Sequence, residues 1–482
     1  MTYRELTEKL LALEEEFDLF GRTVAGVLFW DLVRRRVHGA VLVKEEMVPA
    51  HVPERRGLAR FVRMAFGFVW IALFKNPFLV SRADIVVFGS DRRRLQEDGL
   101  WHDIYCDSLI DRLEQEGMRC LMVENPPLGG ELARRPIKTR RTAHLSVIQA
   151  SASVLFRLRP VRLSLSGEER AFLKLVETRL ARELGVRVRL QAMLEDALGK
   201  ARATSPFYKA FLRKSAPRAV VVVKPMGKRS LITACRELGI PVVELQYSDI
   251  HRSNLAYSYE GPKRVQQGAP DYLFLFGDFW KRNVSFSLPK ERVFAVGFPY
   301  YEQERAKYAN LKKRRGQILF LSKPIAQGAL SRFAIEVARE LGDAWHIVYK
   351  LYERESMNWK ERYPWLADSG IEVVAEGEQP LYELFAESEV QVSGDSTAVY
   401  EGVGFGLRTF LLELPGTDNM EPLVKSGHAE LVASAHQLKA LLEHPRRVQR
   451  ETKEEFFKKN ALGYMTSLIK KLCVSGAIRQ AE

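Results

Sequence analysis

VSGDSTAVYE, residues 392–401, is the pattern of a buried strand that ends in a turn of small polar residues and restarts as a helix. Small side chains at Ser393, Gly394, Ser396 and Thr397 leave backbone N–H groups free to face a ligand. The partial positive charge of a helix N-terminus suits phosphate. Plain N-capping by Asp395 or Ser396 accounts for the same residues. The context says more: Gly404-Phe405-Gly406 follows, then a second buried strand, Thr409–Leu412.

Outward from this turn the chain alternates. Downstream come Leu431–Val432 and a helix over Ala435–Leu442. Upstream lie strands Gln317–Leu321, Trp345–Tyr349, Ile371–Val374 and Val390–Val392, with helices over Ser331–Leu341 and Leu381–Ala386. An earlier unit repeats the alternation: ADIVVFG (83–89), MRCLMVE (118–124), AVVVV (219–223), PVVEL (241–245), YLFLF (272–276) and RVFAV (292–296). Helices are expected over Tyr105–Glu116 and Lys228–Leu238, and a long helical region over about 167–214. Continuous apolar runs, without polar alternation, mark strands covered on both faces. Strands alternating with helices imply parallel sheets with right-handed crossovers.

The expected fold is therefore α/β, with two Rossmann-like doubly wound domains facing a cleft and an N-terminal helical extension. The expected boundaries are a helical segment 1–80, with a short hairpin around 37–43, and a first domain 81–300 with a helical insertion. A second domain spans 301–445 and opens with a basic interdomain linker over 302–315. A C-terminal helix in 446–482 can cross back onto the first domain. Folds of this kind bind ligands at the carboxyl ends of their strands, where the two units meet.

Composition narrows the partners. A net charge of +14 favours anionic ones. Nucleic acid is not expected, because no zinc finger, no aromatic RNA-binding motif and no basic helix face is present. The four cysteines form no CxxC pair and the nine histidines no HxxxH, so no metal site and no disulfide framework are expected. The acidic, helical start has no signal-peptide pattern, which suits a cytoplasmic location.

Residues 60–80, RFVRMAFGFVWIALFKNPFLV, hold an uncharged run of eleven residues, Met64–Phe74. A membrane span needs ~20 apolar residues, so this one is too short. Trp70 and flanking arginines suit a helix lying at an anionic membrane surface, on the inner face of the plasma membrane. A helix buried in the core has the same composition. The two readings predict opposite exposure for Phe66, Phe68 and Trp70.

STAVYEGVGFGLRTFLLE (396–413) and NMEPLVKSGHAELVASAHQLKALL (419–442) resemble the carboxy-terminal half of GT-B glycosyltransferases. ILFLSKP (318–324) and HIVYKLYERE (346–355) share the likeness, which extends over about 241–442. It is nearest to bacterial surface- and capsular-polysaccharide enzymes, including sialyltransferase-like and CDP-glycerol glycerophosphotransferase-like groups. The resemblance implies that Ser393, Gly394, Ser396 and Thr397 hold the donor's nucleotide phosphate.

It has two departures. Where such enzymes often have Lys-x-His-Pro, this chain has Lys350-Leu351-Tyr352-Glu353; where they often have Gln-His-Gly, it has Gln246-Tyr247-Ser248. A tyrosine can donate a hydrogen bond, but its pKa of ~10 makes it a poor base. Asp249 and His251, close by in the acceptor-side loop, are the candidate catalytic bases. A turn cap and a solvated loop residue are their plain alternatives.

Lys323 and Lys350, at strand ends, are candidate cations for the leaving phosphate, or simply rim lysines. Tyr352 is a further donor-side candidate. Glu401 can accept from ribose hydroxyls or serve the helix dipole. The turn Val223–Lys228 resembles a phosphate loop weakly.

Three functions remain open from sequence. The first is inverting, metal-independent transfer of a sugar from a nucleotide-activated donor to a glycan or lipid-linked acceptor. The second is transfer of a polyol phosphate by the same architecture. The third is a catalytically silent glycan-binding or scaffold subunit. No cofactor is expected.

Overall fold

A computed structural model describes residues 2–45, 58–125, 136–139, 141–224, 227–259, 264, 266–322, 328–444 and 456–478. Thirteen of its strands build two parallel sheets. The first sheet contains β1 (Ile85–Phe88), β2 (Cys120–Glu124), β3 (Thr142–His144), β4 (Ala219–Val223), β5 (Val242–Leu245), β6 (Tyr272–Leu275) and β7 (Val293–Ala295). Their spatial order is β7-β6-β5-β4-β1-β2-β3. The second sheet contains β8 (Gln317–Leu321), β9 (His346–Lys350), β10 (Glu372–Val374), β11 (Val390–Ser393), β12 (Arg408–Leu412) and β13 (Glu430–Val432). Its order is β10-β9-β8-β11-β12-β13.

Each order starts at a central strand, runs to one edge and returns to the other side of that strand. This doubly wound pattern puts a switch point between β1 and β4 in the first sheet and between β8 and β11 in the second. The central strands are buried throughout, with Val220–Val223 and Ile318–Phe320 fully covered. Helices pack on both faces, as buried apolar runs require. The chain thus has two Rossmann-like domains facing a cleft, the GT-B arrangement, with an N-terminal helical extension.

That extension is a pair of helices, Tyr3–Glu16 and Trp30–Lys44. The hairpin expected around 37–43 is absent: Trp30, Val33, Val37 and Val41 are buried at three- and four-residue spacing, which lays them on one helix face. A small hairpin lies earlier, pairing Thr23–Val24 with Val27–Leu28. The pair packs on helices Gly167–Leu184 and Leu190–Ser215. A fully buried ion pair locks it to the first domain. Arg34 Nε donates to Glu14 Oε1 at 2.5 Å, and Arg34 Nη1 donates to the Leu255 and Ser258 carbonyls at 3.2 and 2.8 Å. The first helix also touches the second domain: the Arg4 amide donates to Asp418 Oδ2 at 2.8 Å.

The basic stretch 302–315, expected as a linker, begins inside the helix Pro299–Lys307, with proline at its first turn. The last helix, Ala461–Ser475, packs on the first sheet, where Met465, Ile469 and Leu472 share a core with Ile85, Val87 and Val221. Its entry is fixed by Glu302, whose two carboxylate oxygens accept the Asn460 and Ala461 amides at 2.8 and 2.9 Å. The chain crosses back close beside Gly297, which has φ of +98°. A Cβ there would lie 2.2 Å from the Lys458 carbonyl oxygen, so a side chain has no room.

Among the described residues no helix is long and apolar enough to cross a membrane. The helix Leu58–Phe74 nevertheless shows Phe66, Val69, Trp70, Leu73 and Phe74 to solvent, with Phe66 74% and Trp70 52% exposed. Phe68 is half-buried and Ile71 buried, on the face turned to the protein. Of the three residues on which the surface and core readings differ, Phe66 and Trp70 are exposed and Phe68 is half-buried.

Candidate active site

The carboxyl ends of both sheets meet across the interdomain cleft. From the first domain comes the loop after β5, opening with Gln246. This residue is buried and structural: its side-chain amide donates to the Ser248 carbonyl at 2.9 Å and its oxygen accepts the Phe276 amide at 2.8 Å. It shapes the loop. From the second domain comes the turn after β11. Ser393 is fully buried and donates to the Leu321 carbonyl at 3.1 Å, tying the two strands of the switch point together. Ser396 caps the helix Thr397–Gly404 by accepting the Ala398 amide at 3.3 Å. Gly394 lies under Leu414, which would be 3.3 Å from a Cβ.

The loop and the turn touch. Thr397 Oγ1 donates to Asp249 Oδ1 at 3.1 Å and lies 3.2 Å from the Asp249 amide, which donates to it. His251 Nε2 stands 3.7 Å from Asp249 Oδ2, and its ring meets Tyr3 of the first helix edge-on. Asp249, His251, Ser396 and Thr397, spread over almost 150 positions, are thereby brought into one place.

A second bridge spans the cleft, and sequence reading missed its centre. Arg92, just beyond β1, donates from Nε to Tyr247 Oη at 3.2 Å and from Nη2 to Tyr352 Oη at 3.4 Å. The two tyrosines at the departing motif positions therefore converge on one guanidinium. Tyr247 in turn donates to Asp91 Oδ1 at 3.1 Å, and Lys224 Nζ sits 4.9 Å from its ring centre. Burial raises the Tyr247 hydroxyl pKa, so it acts as a hydrogen-bonding group and not as a base. Beside Arg92, Arg94 reaches Glu353 at 3.4 Å and Glu376 at 3.2 Å on the second domain.

The segment carrying both arginines is a hairpin, Arg93–Leu95 paired with Trp101–Asp103. Asp103 anchors it, accepting the Ser90 amide at 2.6 Å and the Tyr105 amide at 3.0 Å. Burial holds the Asp103 carboxyl up to about 6. A Cβ at Gly89, just after β1, would fall 2.2 Å from Met122 Cε, the far end of a flexible side chain.

Glu401 sits behind these groups, one turn into the helix that the Ser393–Thr397 turn opens. Burial pushes its carboxyl up to about 7, against a hydrogen bond from Tyr382 and the charges of Arg94 and Arg92, which act the other way. Glu244, buried in β5 of the first sheet, is raised to the same value by the same cause.

Lys350 is not free. Its ammonium donates to the Ala375 and Gln379 carbonyls at 2.7 and 3.1 Å, and burial lowers its pKa. It holds the loop after β10 in place. Lys323 lies outside the described residues. Among the described residues no group of three or more His, Cys, Asp or Glu is placed to hold a metal ion.

No protein-family model matches the chain. No curated protein matches it either. Among solved structures it is similar to the UDP-GlcNAc 2-epimerase of Methanocaldococcus jannaschii, with 13% identity and a TM-score of 0.47 over 80% of this chain and 99% of that one. It is similar to Acinetobacter baumannii MurG at 14% identity and a TM-score of 0.47, covering 81% and 100%. It is also similar to the wall teichoic acid polymerase TagF at 11% identity and a TM-score of 0.43, covering 87% and 98%. At such identities these likenesses concern the fold alone. By its own strand orders and facing sheet ends, the chain has the GT-B fold.

Proposed function

We propose that this chain is a glycosyltransferase that moves a sugar from a nucleotide-activated donor to a lipid-linked acceptor at a membrane surface, with inversion. The observation that carries this reading is Arg92, held between Tyr247 and Tyr352 where the carboxyl ends of the two sheets meet. In that position a permanent cation from one domain reaches the proposed donor side of the other. With Arg94 it supplies the charge that a departing nucleotide diphosphate needs. The amides of the 393–397 turn and the helix behind them add their dipole.

Two carboxylates border the reacting space. Asp249 is engaged with Thr397, and its role in this reading is to orient the donor turn, with His251 beside it. Glu401, tuned to about 7, is assigned the proton of the acceptor hydroxyl. The exposed apolar face of Leu58–Phe74 and the exposed arginines Arg157, Arg159 and Arg162 support docking on an anionic bilayer.

The test is calorimetric titration with CMP, CDP, UDP and GDP, followed by the same titration on Arg92→Ala. One nucleotide is expected to bind, and the variant to bind it roughly ten- to a hundredfold more weakly, the worth of a charge-assisted hydrogen bond. Binding of none of the four defeats the reading. So does equal binding by Arg92→Ala.

A further inference from the structure

The first domain has a switch point of its own, between β1 and β4, and it opens into a cavity of about 760 Å³ that adjoins the cleft at Asp91 and Lys224, both in contact with Tyr247. The cavity has two unlike halves. One is basic: Arg93, Lys200, Lys224 and Lys228 line it, against Asp91 as the one acid among the described lining residues. Two of these cations are already matched, Arg93 by Glu124 and Lys200 by Asp196. The ammonium of Lys228 donates to the Val223 and Lys224 carbonyls at 2.5 and 2.8 Å, which leaves one of its three protons for a ligand. Lys224 is held in the left-handed region, φ +57°, a conformation rare for a residue with a side chain.

The other half is apolar, and its wall is the helix Ser146–Leu158. Ala152 and Phe156 of that helix line the cavity. Val154 and Leu158 of the same helix are 59% and 74% exposed outside. This helix packs against Leu58–Phe74, whose exposed Phe66, Trp70 and Leu73 extend the apolar surface. One wall thus serves both a basic cavity and an outer apolar shelf.

We infer that this cavity takes the head group of a lipid bearing a terminal phosphate ester. The phosphate lies against Lys224 and Lys228, and the chain leaves over Phe156 toward the bilayer. The inference rests on the transferase reading for its purpose, since it places an acceptor behind Tyr247, but not for its chemistry. A cavity open to an apolar shelf suits an amphiphile, and two lysines with unspent donors suit the oxygens of a phosphate monoester.

The experiment uses the full chain and two sets of phosphatidylcholine vesicles of equal surface charge. One set contains phosphatidic acid and the other phosphatidylglycerol. Binding is expected to be roughly tenfold tighter to phosphatidic acid, the scale of one charge-assisted hydrogen bond. Lys224→Met and Lys228→Met should each erase the preference while leaving binding to phosphatidylglycerol unchanged. If Lys228→Met fails to fold, Lys224→Met carries the test alone.

Equal binding to both vesicles overturns the proposal, and so does a preference that survives Lys224→Met. Inorganic phosphate that binds the lipid-free protein as tightly as the phosphatidic acid vesicles assigns the cavity to a soluble ligand, which also overturns it. A preference for phosphatidic acid in a protein that binds no nucleotide leaves this site standing and defeats the transferase reading instead.

Discussion

Glu401 shows how one side chain takes its chemistry from its surroundings. It stands one turn into a helix, where a surface carboxylate would be ionised at neutral pH. Burial moves its ionisation to about 7, against the lowering effect of the hydrogen bond from Tyr382. If it accepts the acceptor's proton, activity rises with pH through about 7, because the ionised form is the working one. Glu401→Gln should lower kcat by about 10²–10⁴-fold and flatten that limb, while nucleotide affinity stays within a few-fold. A pH–rate profile of both proteins checks this; an unchanged limb in the variant removes Glu401 from the role.

The sequence pointed to Tyr247 and Tyr352 as departures but gave no hint that they share a partner. Arg92 reads as one of three consecutive arginines on a polar turn. Only the hairpin that follows it, anchored by Asp103, fixes it against Tyr247 and Tyr352. Lys350 misled in the opposite sense: a lysine at a strand end reads as a ligand group, and the carbonyls that occupy it lie 25 and 29 positions away.

At the scale of elements, the strands were legible because Val/Ile/Leu runs have one physical use in such a chain: burial on both faces. The first helix pair was harder, since valines spaced for a helix also suit a strand over a short window. The helix Leu58–Phe74 was legible only as a choice between two exposures, because composition alone cannot say which face packs.

Two outcomes follow at this scale. Phe66→Asp with Trp70→Glu should weaken binding to anionic vesicles several-fold or more and leave Tm unchanged within a degree or two, because both side chains are already in water. Vesicle sedimentation beside a thermal melt measures both; a large fall in Tm would mean the face is packed. Gly297→Ala should cost at least about 1–3 kcal/mol, combining a left-handed backbone with a contact against Lys458 that cannot relax cheaply. Denaturant unfolding measures that loss, and a variant as stable as the parent would refute the tight crossing.

Across the whole molecule, buried carboxyls set a trend with pH. Asp103 is held up to about 6, Glu244 and Glu401 up to about 7, each mainly by burial. A raised carboxyl pKa means that the folded protein keeps a proton the unfolded chain would give up. The associated stability is complete below the unfolded value of ~4 and is lost as pH rises through 6 to 7. Buried His38 and His144, lowered to about 4, act in the opposite sense, gaining stability as pH rises. Glu401→Gln should therefore raise the melting temperature at pH 8 relative to pH 5 compared with the parent. A melt series with the same pH dependence in both proteins contradicts the assignment.

The last helix, Ala461–Ser475, has a consequence for how the protein is made. It covers Ile85, Val87 and Val221, which belong to strands synthesised hundreds of residues earlier. A nascent chain on the ribosome must carry that bare apolar surface until residues 461–475 have emerged. Premature termination anywhere in the second domain would release a product whose first domain is unroofed. Such fragments should depend on chaperones, precipitate when expressed alone, and regain solubility when the missing helix is supplied as a separate peptide.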